Sequence, residues 1–167
     1  MSLLLTDTDL TQLCQSLKIP LQFIGFKDTF ASHTPHEGAY IVNLDSKTTG
    51  RGGTHWTAFL LLHGKAMYFD PFGLTIPRAT RDFILRYKPS NVYFSTNQIQ
   101  GLDSEFCGYF CLYFLYFFTV QHKRNPHLRY LINKHNSIYV QTNRALNDKI
   151  IQTLIRRITK VGTRTRS

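Results

Sequence analysis

Between Phe106 and Val120 the chain runs for fifteen residues without a charged side chain. Read as a helix, this stretch is apolar all round, so it has to be buried all round, and the rest of the chain must wrap around it. At fifteen residues it falls short of the roughly 20 that a bilayer-spanning helix needs. The burial is therefore directed to a protein core, and a soluble protein is predicted. The run opens on Cys107 and Gly108. A cysteine in the first turn of a helix meets unpaired backbone amides and the positive end of the helix dipole, and both favour the thiolate.

The elements available for wrapping are readable. Thr6 or Thr8 can cap a first helix whose apolar positions Leu10, Leu13, Cys14 and Leu17 recur at helical spacing, with Pro20 ending it. Ala39 to Leu44 is predicted as a short strand. Trp56 to Leu62 and Ala66 to Phe69 are predicted as a hairpin joined by His63-Gly64-Lys65. The first of these two strands is apolar on both faces, as a central, covered strand is. Pro77 starts a helix running to about Tyr87, Pro89 stops it, and Val92 to Ser95 is another short strand. Asn125-Pro126 begins a short helix, and Asn143 caps a last one with Leu146, Ile150, Leu154 and Ile158 turned inward. From about Lys160 to Ser167 the chain is polar and basic and is expected to fray. With 43% hydrophobic and 14% aromatic residues, no repeat and no linker, residues 1–167 form one domain. Helices around a central mixed sheet make the predicted fold class α+β.

Cysteine count and charge narrow the context. Three cysteines (Cys14, Cys107, Cys111) are few and odd in number, which argues against a disulfide framework and for a reducing, intracellular compartment. Met1 to Leu5 is apolar but lacks a basic flank and meets Asp7 at once, so no secretion signal is expected. Histidines 33, 36, 63, 122, 127 and 135 show no ligand spacing with cysteines or carboxylates, and no metal is expected. Residues 1–83 carry seven Lys and Arg against seven Asp and Glu; residues 84–167 carry thirteen against three. The whole net charge of +10 thus lies in the second half, which points to a polyanionic partner, nucleic acid before membrane. Lys123, Arg124, Arg129, Arg156 and Arg157 are the candidate phosphate contacts.

Three short segments carry chemistry. Gly52-Gly53-Thr54-His55-Trp56 sets an imidazole at the start of the central strand, and Tyr68-Phe69-Asp70-Pro71-Phe72-Gly73 sets a carboxylate at the end of its hairpin partner. Neighbouring strand ends lie close together, so Asp70 can accept a hydrogen bond from one ring nitrogen of His55 and fix its tautomer. In Gln100 to Cys111 a glutamine precedes Cys107 by seven residues. Its amide, with the backbone N–H of Cys107, can donate to an oxyanion. A base, an acid, an amide donor and a thiol are the parts of a cysteine hydrolase. Cys14 lies on an apolar helical stripe, and Cys111, one turn beyond Cys107, lies inside the aromatic run, so both are expected to be structural.

In order and spacing these segments resemble the adenovirus protease (adenain) family of cysteine endopeptidases, from the same clan as the SUMO-processing peptidases. The likeness rests on Gly52, Gly53, His55 and Trp56, on Asp70 to Gly73, and on Gln100, Gly101, Cys107, Gly108, Phe110 and Cys111. It reaches upstream through Phe23-Ile24-Gly25, Ser32 to His36 and Ile41-Val42-Asn43, covers roughly residues 10–120, and fades in the last third. The resemblance implies a papain-related fold, with His55 as general base, Asp70 as orienting acid, Cys107 as nucleophile and Gln100 as oxyanion donor. It implies Gly52, Gly53 and Trp56 as the lining of a substrate groove. Asp70 stands where some family members have glutamate, and the shorter carboxylate fits the same role.

For function the resemblance implies maturation cleavage of viral capsid or core precursors at glycine-containing sites, stimulated by DNA, by a monomer found in the virion and the host nucleus. A SUMO-type peptidase and a non-catalytic nucleic-acid-binding capsid component are the alternatives. Family members are also activated by a short peptide that adds a strand and is tethered by a disulfide. The tethering cysteine lies eleven residues before the glutamine, where this chain has Pro89, and no cysteine occurs between Cys14 and Cys107. Any activating peptide is therefore expected to bind without a covalent bond.

Overall fold

A computed structural model describes residues 4–45 and 55–164. Thr6 caps α1 (Asp7–Ser16) in a reciprocal box: its hydroxyl accepts the Asp9 N–H while the Asp9 carboxylate accepts the Thr6 N–H. The sheet follows as β1 (Leu21–Phe26), β2 (Gly38–Asn43), β3 (Trp56–Leu62) and β4 (Lys65–Phe69). The hairpin between the last two closes on His63 and Gly64, both at positive φ, as the tightest turns compatible with strand twist require. After α2 (Arg78–Arg86), which Pro77 opens, comes β5 (Asn91–Phe94). The apolar run forms α3 (Cys107–Tyr116) and a π-helical continuation, Phe117–Gln121. Then follow α4 (Leu128–Asn136) and α5 (Arg144–Arg164), the latter with the Asn143 side chain accepting the Leu146 N–H.

Strand order equals chain order, β1 to β5. The outer pairs β1–β2 and β4–β5 are parallel and the inner pairs antiparallel, so the sheet is mixed and the fold is α+β. β3 lies at the centre, buried except at its last residue. One face of β3, with Ala58 and Leu60, joins the larger core built with α1, α3 and α5; the other, with Phe59 and Leu61, meets Phe83 and Ile84 of α2. α3 is buried from Cys107 to Leu115 and packs directly on β3. The element that forced the fold thus sits against the strand that follows His55.

Several expectations change. β1 was not anticipated. The last turn of the run is π-helical rather than α, the short helix begins at Leu128 rather than at Pro126, and α5 runs to Arg164, while the rest of the tail expected to fray lies outside the described residues. On α5 the inward positions are Asn147, Ile151 and Ile155, whereas Leu146 is exposed and Ile150, Leu154 and Ile158 are only half-buried. The helix is rotated so that a polar residue, Asn147, enters the interior. Among the described residues no helix is long and apolar enough to cross a membrane.

Candidate active site

The β3–β4 hairpin assembles the first pair. Ala58 pairs with Phe69, so the residues just before β3 and just after β4 lie side by side. The His55 carbonyl accepts the Leu44 N–H, which fixes the backbone that bears the imidazole. His55 Nε2 lies 2.7 Å from Asp70 Oδ1, with the carboxylate fully buried. That oxygen also accepts the Phe72 N–H at 2.8 Å. The Phe72 ring stacks on the imidazole, centroids 4.2 Å apart and 17° from parallel. Both the tilt and the rotation of the ring are therefore held.

With Nε2 committed to Asp70, the ring's interaction with Cys107 falls to Nδ1, which is buried and has no hydrogen bond among the described residues. Burial alone would lower the His55 pKa. The Asp70 hydrogen bond, the Cys107 thiol and the charges of both outweigh it, and the value rises to about 9. The arrangement favours a protonated imidazole.

Cys107 opens α3, and no side chain caps that helix. The amides of its first turn thus have no intrahelical acceptor. The Trp56 N–H points at Cys107 Sγ, 3.5 Å away, and Cys111 Sγ donates to the Trp56 carbonyl at 3.2 Å. The two backbone polar groups of one β3 residue thus meet two thiols a helical turn apart. The Trp56 ring is buried; its Nε1 donates to the Leu5 carbonyl, and its Cδ1 would lie 3.5 Å from a side chain at Gly108. Trp56 thus bonds the segment before α1 and packs over the start of α3, while its backbone N–H points at the sulfur. Gly52 and Gly53 lie outside the described residues.

Gln100 is buried in the irregular segment between β5 and α3. The N–H groups of Ile99 and Gln100 both donate to the Pro71 carbonyl, at 3.0 and 3.1 Å. The glutamine segment is thereby bonded to the turn that follows Asp70. Gly73 makes this approach feasible, because its φ is +69° and a Cβ there would lie 2.6 Å from the Thr96 carbonyl oxygen. The Gln100 amide donates one hydrogen to the Ser104 carbonyl at 2.6 Å. An amide nitrogen carries two, which leaves one for another acceptor.

The other predicted residues separate from this cluster. Lys123, Arg124 and Arg129 are exposed on and beside the α3–α4 connection, and Arg156 and Arg157 are exposed on α5. Cys14 and Cys111 are buried, and burial pushes their thiols up, Cys14 to about 12. Among the described residues no group of His, Cys, Asp and Glu is placed to hold a metal. Sequence reasoning missed Phe72, whose signal was its place in the Asp-Pro-Phe-Gly turn, and Asn147, whose signal was a lone polar residue in an apolar helical stripe.

This α+β fold thus brings together a thiol at an uncapped helix start, an imidazole just ahead of the adjoining strand and a buried carboxylate behind it. The model of a family described as adenovirus endoprotease matches residues 22–161. The chain belongs to that family. A curated relative, a protease of bovine adenovirus 2, is 30% identical over 130 residues, which cover 68% of this chain and 62% of the relative. The chain thus matches less than two thirds of that relative's length. Among solved structures, the ASFV pS273R protease aligns over 72% of this chain and 43% of its own, with a TM-score of 0.43 at 18% identity. The central domain of the Lpg1148 protein of Legionella pneumophila aligns over 96% and 98%, with a TM-score of 0.48 at 15% identity.

Proposed function

We propose that this chain is a cysteine endopeptidase in which Cys107 is the nucleophile, His55 the base and then the acid, and Asp70 the group that fixes the imidazole. The carrying observation is the 2.7 Å contact of His55 Nε2 with buried Asp70, which leaves Nδ1 without a hydrogen bond on a ring that interacts with the Cys107 thiol. The Cys107 proton passes to Nδ1, and Sγ attacks the scissile carbonyl carbon. Its oxygen becomes an oxyanion, met by the Cys107 N–H and the remaining N–H of Gln100. The imidazolium returns the proton to the leaving amine. Water, deprotonated by the same nitrogen, then cleaves the thioester.

Family membership supports viral capsid or core precursors as substrates, cut at glycine-containing sites in the virion or host nucleus. The exposed basic residues of the second half support stimulation of a monomeric enzyme by DNA. Any activating peptide binds by strand addition alone, since Pro89 offers no thiol. The test is cleavage of a library of glycine-containing peptides, with and without DNA, by the wild-type chain, Cys107→Ala and Gln100→Ala. Cys107→Ala is expected to be inactive, and Gln100→Ala to retain KM while turnover falls by roughly 10²–10³. Cleavage by Cys107→Ala would remove the nucleophile assignment, and no cleavage by the wild-type chain under any of these conditions would remove the peptidase reading.

A further inference from the structure

Twelve residues without regular secondary structure, 95–106, separate β5 from α3, and Gln100 lies among them. A segment of that length has to be held by contacts outside itself if one of its amides is to meet an oxyanion to within a fraction of an ångström. The turn after Asp70 supplies one set, through the Pro71 carbonyl. The other set comes from one face of α5. Arg144 Nε donates to the Gln98 carbonyl at 3.4 Å, Asn147 Nδ2 donates to the Ile99 carbonyl at 2.8 Å, and Asp148 Oδ1 accepts the Ser104 hydroxyl at 2.9 Å. Positions 144, 147 and 148 share a helix face.

Asn147 is the centre of this grip. It is completely buried, and its amide is used three ways: Nδ2 also donates to the Val140 carbonyl at 2.9 Å, and Oδ1 accepts the Val140 N–H at 2.7 Å. Ile99, the residue before the glutamine, therefore has its N–H held by Pro71 and its carbonyl held by Asn147. The Ser104 carbonyl, which accepts from Gln100, belongs to the residue whose hydroxyl is held by Asp148. A fully buried asparagine in a helix that otherwise turns Ile151 and Ile155 inward gives up apolar packing. What it does there is fix the Ile99 carbonyl and both backbone groups of Val140.

We propose that Asn147 is a positioning residue for the oxyanion site: it acts on turnover through Gln100, by fixing the peptide unit that precedes it. The proposal rests on the peptidase reading above, with Gln100 as oxyanion donor. Asn147→Asp keeps size and the acceptor to Val140 but sets oxygen against the Ile99 and Val140 carbonyls. Asp148→Ala and Ser104→Ala each remove one partner of the Ser104–Asp148 hydrogen bond and probe the same grip with smaller disturbance.

The experiment measures kcat and KM on a fluorogenic glycine-containing peptide that the wild-type chain cleaves. It also measures the rate of Cys107 alkylation by iodoacetamide, a displacement that forms no oxyanion. Asn147→Asp is expected to lower kcat by about 10²-fold, with KM and alkylation rate within about threefold of wild type. In a Gln100→Ala background the same change is expected to do little more, because both act through one amide. If Asn147→Asp does not fold, Asp148→Ala and Ser104→Ala are expected to show the same pattern at about tenfold. Wild-type kcat in the folded variants, full additivity with Gln100→Ala, or alkylation falling in parallel with kcat would overturn the proposal. Wild-type turnover for Gln100→Ala itself would instead overturn the oxyanion assignment on which it rests.

Discussion

The imidazole of His55 is the residue on which the site's electrostatics turn. Its pKa in the fold, about 9, lies above the ordinary 6.5. A group whose pKa is raised by folding stabilises the fold fully below 6.5 and loses that contribution between 6.5 and about 9. The alkaline limb of kcat/KM is accordingly expected near pH 9, where the proton destined for the leaving amine is lost. A limb at about 6.5 in the free enzyme would show that Asp70 and the thiol do not hold the proton. The three cysteines should differ as sharply. Iodoacetamide near neutral pH is expected to label Cys107 alone, since burial keeps the Cys14 and Cys111 thiols protonated. Equal labelling of either by mass spectrometry would sink the nucleophile assignment.

At the scale of elements, the contacts between the Asp70 turn and the Gln100 segment can be tested with two glycines. Gly64 and Gly73 have nearly equal φ, +71° and +69°, but a Cβ at Gly64 meets nothing within 4 Å, whereas at Gly73 it meets the Thr96 carbonyl oxygen at 2.6 Å. Gly64→Ala is expected to cost about 1–2 kcal/mol from backbone strain alone and to leave kcat unchanged. Gly73→Ala adds a clash with backbone, so it is expected to lose more stability and to lower kcat by displacing Asp70 and Gln100 together. Denaturant unfolding and steady-state kinetics measure both, and equal effects at the two sites would contradict the contact.

Much of this element layout was legible because it rests on strong periodic signals. The all-apolar run gave α3, the two-faced apolar strand gave β3, and the caps Thr6, Pro77 and Asn143 gave the helix starts. β1 was hidden because Gln22 and Gly25 interrupt its apolar pattern and it is only half-buried. The face of α5 was misjudged because counting apolar residues rejects Asn147, which is inside for the sake of hydrogen bonds to a segment distant in sequence. The π-helical turn changes hydrogen bonding without changing side-chain pattern. His55, Asp70 and Cys107 were legible as a set through motif order, while Phe72 and the α5 grip depend on tertiary contacts that spacing does not encode.

Over the whole molecule, the surplus of cations lies apart from the His55–Asp70 pair: the pair flanks the β3–β4 hairpin, and the exposed cations Lys123, Arg124, Arg129, Arg156 and Arg157 lie on α4, on α5 and on the connection before α4. Binding to DNA without sequence preference is expected, with log K falling by about 0.9 per neutralised phosphate for each unit of log salt. Fluorescence anisotropy between low and physiological salt measures this slope, and salt-independent binding would return the charge to a solubility role. All three cysteines are free, so dithiothreitol is expected to leave activity intact. Loss of activity on reduction, restored by reoxidation, would reveal a covalent link.

Gly73 also sets a boundary in the covalent chain. Because it touches Thr96 and Asn97, the stretch from Leu74 to Ser95 leaves the site and returns to the point where it left. This stretch, with α2 and β5, is a pouch whose mouth is drawn shut by the acid's turn and the glutamine's segment. Lengthening the pouch at its far end, near Lys88, would change how the sheet is covered while the mouth keeps its shape. Such a fold can alter its outer edge and accept new surface there while His55, Asp70 and Gln100 stay in register.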